Sequence, residues 1–262
     1  MIAILSATEH DFYAMPLPLV VWSWKMIGVD CKVFIPADYG PKLSLAMTYC
    51  EPETDFYPFT CDKEKEATYA QVSRLFGWMT PGVDAPTFLI TGDADLAVFN
   101  HEYFKQIDRK KINVIGADLL EESMQQYPMC FIAMPANDWA TVTLNYSEKN
   151  SYQGFLDDLV GSIECENFRG NQWSLDQHLA YKWLQGHDIV HHPRAALPNR
   201  WASRRADRDG WYFDPAEIID AHLPRPLTDA DNFSKTIDLF HAIYPQADLE
   251  WMWEYREKYL SL

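Results

Sequence analysis

The chain has 262 residues, 48% of them hydrophobic and 15% aromatic, and a formal net charge of −16. That length suits one α/β domain or two small ones with a large buried core. The acidic balance excludes broad, sequence-independent binding to nucleic acid, which needs many Lys and Arg against phosphates, but leaves room for one locally positive site that takes a small anion.

The apolar run 1–7 predicts a buried strand, followed by a polar, aromatic loop over 8–13. Residues 16–27 are apolar on almost every side, with prolines where a first helical turn tolerates them, and Gly28 ends this helix. A second strand over 31–35 leads to Asp38. Strand, helix, strand in this span is a βαβ unit, which implies a parallel sheet with a right-handed crossover. Neither G-x-G-x-x-G nor a P-loop follows the first strand, so a dinucleotide fingerprint and P-loop ATP hydrolysis are not expected. Residues 40–62 read as irregular with one short strand. Over 64–79 the pattern turns helical, with Tyr69, Val72, Leu75, Phe76 and Met79 on one side. Arg74 lies on that helix, either in a solvent salt bridge or aimed at a ligand.

Residues 87–91 predict the central strand. It ends at Gly92 and delivers Asp93 and Asp95 to its carboxyl end, where open α/β sheets place their ligands. Strand alternation turns both carboxylates to one side, so a single Mg²⁺ or Mn²⁺ could meet both. The alternative is a helix cap or a solvated turn. A helix over 102–111, strands over 113–116 and 129–134, and helices over 137–145 and 151–163 follow. In the stretch 170–179, Ser174 or Asn171 caps a helix with Asp176 and Gln177 in its first turn. A carboxylate there either serves the helix dipole or faces a ligand. From Arg194 to Arg208, five arginines (194, 200, 204, 205, 208) stand against one acid, Asp207. They form either a solvated face that balances acidic neighbours or an anion cradle, to which guanidinium forks are well matched. Residues 211–213 predict a last strand and 218–226 a terminal loop. Phe233, Ile237, Phe240 and Tyr244 mark an amphipathic helix, and Trp251, Trp253, Tyr255 and Tyr259 close the chain. No repeat, low-complexity segment or linker divides it, so one domain is expected.

In this order, Tyr69 and Arg74 on a helix, strand-Gly-Asp93-Ala-Asp95, Asp176-Gln177-x-x-Leu179 and His222 near the end resemble the GT-A-fold glycosyltransferases. The nearest pattern is the retaining family that contains glycogenin and bacterial galactosyltransferases. The resemblance covers most of the chain, and its sharp motif is the Asp-x-Asp. It implies an α/β fold, a single GT-A-like domain with a mostly parallel central sheet flanked by helices. Residues 1–100 would be the nucleotide-binding half, and 101–262 the acceptor-binding half with the C-terminal helices. The resemblance also implies that Asp93, Asp95 and His222 hold Mn²⁺ or Mg²⁺ against the diphosphate of a nucleotide-sugar donor, UDP-linked. Ala7, Thr8 and Asp38 would border base and ribose, Tyr69 and Arg74 would serve the donor, and Asp176 and Gln177 would border its sugar. Family members usually end in His-x-x-Gly-x-x-Lys-Pro. Here the stretch is His222-Leu-Pro-Arg225-Pro, with no glycine, and Arg225 is the candidate for the lysine's role beside the phosphates. Asp176 would stabilise the donor sugar in retaining transfer, which the resemblance favours, or deprotonate the acceptor hydroxyl in inverting transfer. The acceptor stays open among a glycan, a small molecule and modified nucleic acid. The competing readings are a non-catalytic nucleotide- or sugar-binding module and a DNA-modifying sugar transferase.

Five cysteines without C-x-x-C spacing, Cys31, Cys50, Cys61, Cys130 and Cys165, point to reduced thiols. The first strand leaves no room for a signal peptide, and no apolar run reaches transmembrane length. A cytoplasmic protein with no membrane span is the expectation.

Overall fold

A computed structural model describes residues 1–117, 122–144, 149–161, 174–192, 205–208, 211 and 213–262. Seven strands make the main sheet: β1 (Ile2–Ser6), β2 (Asp30–Pro36), β3 (Asp55–Phe59), β4 (Phe88–Thr91), β6 (Ile112–Ile115), β7 (Ile132–Pro135) and β8 (Ile189–His192). Their order is β3-β2-β1-β4-β7-β6-β8. β1 pairs in parallel with β2 and β4, β2 with β3, and β6 with β8, while β7 runs antiparallel to both neighbours. The expectation of a mostly parallel sheet in a single α/β domain holds.

Period-two alternation divides the core. Ala3 and Leu5 of β1, Val33 and Ile35 of β2 and Ile90 of β4 point to one face. Ile4, Phe34 and Leu89 point to the other. The first face receives α2 (Leu17–Met26) through Trp24, and the C-terminal helices Ala230–Ile243 and Glu250–Leu260 through Phe233, Phe240 and Tyr255. The second face receives α4 (Glu66–Ser73), α6 (Ala136–Leu144), α7 (Tyr152–Leu156) and α8 (Leu175–Leu184) through Val72, Trp139, Phe155 and Trp183. Each large apolar side chain removed from water this way contributes about 1.5–3 kcal/mol before entropy is counted.

A second sheet of three short strands, β5 (Leu96–Val98), β10 (Asp220–His222) and β9 (Arg205–Ala206), lies beyond the carboxyl end of β4. β10 is antiparallel to β5, with His222 opposite Leu96, and parallel to β9, with Ala221 opposite Ala206. The buried Arg205 guanidinium donates to both oxygens of the buried Asp220 and locks β9 to β10. The Val98 N–H donates to Ser23 Oγ at 3.0 Å and fastens the small sheet to α2.

Several local expectations change. Within the stretch 40–62 a helix stands where irregular chain was expected, α3 (Pro41–Tyr49). Its first turn is capped by the Glu9 carboxylate, which accepts the N–H groups of Gly40, Lys42 and Leu43 at 2.9–3.1 Å. The loop 8–13 contains one short helix, α1 (Asp11–Ala14), with His10 as its cap. The helix expected over 102–111 is α5 (His101–Lys105) alone. Trp211 and Phe213 are not in a strand but pack against the core. The strand falls instead at Asp220–His222, where a terminal loop was expected, because the charge that reads as solvent-facing is buried against Arg205. The proposed cap Asn171 and residues 162–163 lie outside the described residues.

Candidate functional site

The order β3-β2-β1-β4 reverses between β1 and β4, and the loops leaving these two neighbours part there to open a cleft at the strand carboxyl ends. Ser6, Ala7 and Thr8 line it from the β1 side, and Asp93, Ala94 and Asp95 from the β4 side. Ala67, Ala70, Gln71 and Arg74, the cleft-facing residues of α4 and its extension, form one wall. Asp176 and Gln177 come from the first turn of α8. Tyr13, Arg208 and Arg225 complete the lining of a space of about 190 Å³.

The two aspartates reach the cleft by a turn rather than by continued strand alternation, because β4 stops at Thr91. Gly92 sits close to the core there: a Cβ at this position would lie 2.7 Å from Leu5 Cδ2 and 3.4 Å from the Trp24 ring, so the Leu5 side chain would have to shift. The Gly92 carbonyl accepts a hydrogen bond from Arg74 Nη1 at 3.0 Å, so Arg74 fixes the turn as well as its charges.

Arg74 is the hub. Its guanidinium pairs through Nη1 with Asp93 and through Nη2 with Asp176 Oδ2 at 2.5 Å, and its side chain is 7% exposed. Burial disfavours the Arg74 charge, but Asp93 and Asp176 outweigh it and hold the guanidinium firmly protonated. Burial pushes the Asp93 carboxyl up, yet Arg74 and His222 overcome this and keep it well below the usual carboxylate range. At Asp176, 1% exposed, burial wins and the carboxyl is raised despite Arg74. Asp176 Oδ1 also accepts the Gln177 N–H at 2.9 Å, so the carboxylate serves the helix start while it lines the cleft.

Asp95 turns the other way. Its Oδ2 accepts from Arg225 Nη2 at 2.6 Å and from Arg208 Nη2. Arg225 is held by aromatic faces, its guanidinium carbon lying 5.0 Å from the Phe12 ring centroid and 5.2 Å from that of Tyr13. His222 sits between two carboxylates, with Nε2 3.9 Å from Asp93 Oδ2 and Nδ1 3.5 Å from Asp207 Oδ1. The small sheet explains this. Leu96 opposite His222, with the Leu223 N–H donating to the Asp95 carbonyl, holds the aspartate turn against His222, and Ala206 opposite Ala221 brings Asp207 alongside it. Burial lowers the His222 pKa, but Asp207 and Asp93 more than offset this and the net shift is upward. Asp207 in turn is held down to about 2, chiefly by His222.

Ala7, Thr8, Arg74, Asp93, Asp95, Asp176, Gln177 and Arg225 therefore converge, and His222 stands directly behind Asp93. Two expected residues do not. Asp38 is exposed and borders a separate hollow with Cys61, Lys63 and Glu66. Tyr69 is 4% exposed and faces away from the cleft, stacked on Phe59 with its hydroxyl 3.1 Å from Asp157 Oδ1. Tyr69 and Arg74 lie five positions apart, about 140° around a helix, so they share no face. Sequence reading named neither Tyr13 nor Gln71 for this site. Of the arginine-rich window, Arg208 enters the cleft and Arg205 serves the β9–β10 lock, while Arg194, Arg200 and Arg204 lie outside the described residues.

No family model matches the sequence, and no curated protein matches it. The structure is similar to that of the galactosyltransferase LgtC in complex with donor and acceptor sugar analogs. The match covers 96% of this chain and 99% of that one, with a TM-score of 0.52 and 11% identity. An active-site mutant of LgtC matches over the same shares, with a TM-score of 0.52 and 10% identity. The fold is GT-A. The expected architecture thus holds where the sequences share little beyond it.

GT-A glycosyltransferases typically use a divalent cation in such a cleft. Two carboxylates and an imidazole suit Mn²⁺ or Mg²⁺ chemically. The 3.9 Å between His222 Nε2 and Asp93 Oδ2 is too long for a hydrogen bond. Asp95, however, faces its arginines, and among the described residues no three carboxylate, imidazole or thiol groups converge closely enough to hold an ion. The donor set suits a cation by its chemistry, and its second carboxylate, Asp95, must exchange partners to join.

Proposed function

We propose that this GT-A chain is a metal-dependent glycosyltransferase that moves a sugar from a nucleotide-sugar donor, UDP-linked, to an acceptor hydroxyl, with retention. The observation that carries this reading is the convergence of Asp93, Asp95, Arg74, Arg225 and Asp176 on one cleft at the point where strand order reverses. A bound Mn²⁺ or Mg²⁺ would supply Lewis-acid neutralisation of the leaving diphosphate. Asp93, Asp95 and His222 would hold it. Ala7 and Thr8, which line the cleft, would border base and ribose, and residues 1–100 would form the nucleotide half. Arg225, stiffened between Phe12 and Tyr13, places a fixed positive charge beside the diphosphate. Preorganised charge of this kind acts without reorganisation as the leaving group develops its own.

Asp176 and Gln177 border the donor sugar. The Arg74 bridge keeps Asp176 in place and tied to the aspartate turn, which suits a group that stabilises positive charge on the sugar. Residues 101–262 supply the acceptor side. Free thiols at Cys31, Cys50 and Cys61 support a cytoplasmic setting.

A thermal-shift screen tests the reading. Mn²⁺ together with UDP should raise the melting temperature of the wild type, and Asp95→Ala should abolish the rise. No shift in the wild type with any nucleotide sugar and Mn²⁺ rejects the function. An equal shift in Asp95→Ala rejects the metal assignment.

A further inference from the structure

Asp95 is 4% exposed in its side chain, and a single one of its oxygens receives two guanidinium donors. The two arginines differ in how they are held. Arg225 is caged by Phe12 and Tyr13. Arg208 is 33% exposed and sits in the turn just beyond β9. The Nε atoms of both are buried without a hydrogen-bond partner, so each guanidinium has a donor unused. In the cleft, Asp93, Asp95 and Asp176 carry three negative charges, balanced by Arg74, Arg208 and Arg225.

We propose that Arg208 is a displaceable guard of Asp95, which occupies the carboxylate that the cation needs and transfers to the donor diphosphate when the cation enters. This rests on the glycosyltransferase reading above. A divalent cation and a guanidinium cannot share one carboxylate oxygen in a weakly screened site without strong repulsion. A cation that arrives alone would leave the balanced cleft with an excess of positive charge. A cation with a diphosphate restores the balance and gives the displaced guanidinium a planar, bidentate anionic partner. The more exposed Arg208 is the one free to swing. Cation and nucleotide therefore each improve the site for the other, and the coupling is reciprocal. Arg208 acts here as a positioning residue, through its charge and its mobility.

Isothermal titration calorimetry of the full chain with MnCl₂, alone and with saturating UDP, tests this. In the wild type, UDP should tighten Mn²⁺ binding about tenfold or more, within the usual range of such couplings. In Arg208→Ala and Arg208→Gln, Mn²⁺ alone should bind about tenfold more tightly than to the wild type, while UDP in saturating Mn²⁺ binds about tenfold more weakly. Arg208→Lys, which keeps the charge, should restore weak binding of Mn²⁺ alone. Unchanged or weaker Mn²⁺ affinity in both the Ala and Gln variants overturns the guard, and the transferase reading stands if the wild type still binds Mn²⁺ and UDP. A wild type that binds neither overturns both.

Discussion

Arg74 bridges two carboxylates of opposite character. Asp93 is held ionised beside it, while burial raises Asp176. Asp176→Asn keeps the shape and one hydrogen bond but removes the charge beside the donor sugar. It should lower kcat by about 10²–10³-fold, the scale for loss of one preorganised electrostatic group. UDP affinity should survive, and steady-state kinetics with wild-type kcat would reject Asp176 as a site residue. His222 offers a titration test. Its folded pKa is raised by Asp207 and Asp93, so the pairing contributes stability below the unfolded value of about 6.5 and loses it as pH rises through the folded value. Asp207→Asn should move the His222 imidazole titration downward, followed by NMR, and an unmoved titration would remove Asp207 as its partner. At this scale the sequence was legible where charge stood beside turn chemistry, as at Gly92-Asp93-Ala94-Asp95. It was not legible at Arg208 against Arg205. Both belong to one basic window, and the register of β9 on β10 decides which of them reaches the cleft.

The two turns that face each other across the cleft are fixed by different means. On the β1 side Glu9 seats its carboxylate on the start of α3, 31 residues away at Gly40. Such a cap is worth about 1–2 kcal/mol, and Glu9→Ala should lose that much in urea denaturation. Wild-type stability in that variant would mean the cap is not held. On the β4 side close packing does the work. Gly92→Ala forces a Cβ against Leu5 and should cost about 1–3 kcal/mol while weakening Mn²⁺–UDP binding, since the aspartate turn must shift. Unchanged binding would show that the turn tolerates displacement. The same remoteness explains why α3 escaped sequence reading: its first-turn partner is far along the chain, and only Leu43 and Ala46 of the helix are buried. α2 was plain, because nearly every residue in it is apolar.

The whole molecule carries −16, and the cleft is locally neutral by pairing rather than broadly basic. Duplex DNA should therefore show no binding in fluorescence anisotropy even at low salt. Steep, salt-dependent binding would revive the DNA-modifying reading. Among the described residues no helix is long and apolar enough to cross a membrane. The parallel start of the main sheet followed from the βαβ unit, and the strand before the aspartates from its apolar run. The three-stranded sheet did not, since it joins residues 96–98, 205–206 and 220–222 through contacts without local periodicity. The last helix has its own hold on the front of the molecule. The Tyr255 hydroxyl donates to the Ala14 carbonyl at 3.1 Å, and the Tyr259 hydroxyl to Asp11 Oδ1 at 2.9 Å. These clasp α1, whose two aromatic rings flank Arg225. The tail thus governs a mouth it never borders: trimming the final dozen residues, or burdening them with a fusion partner, slackens the aromatic vice that the opposite end of the polypeptide closes around one arginine.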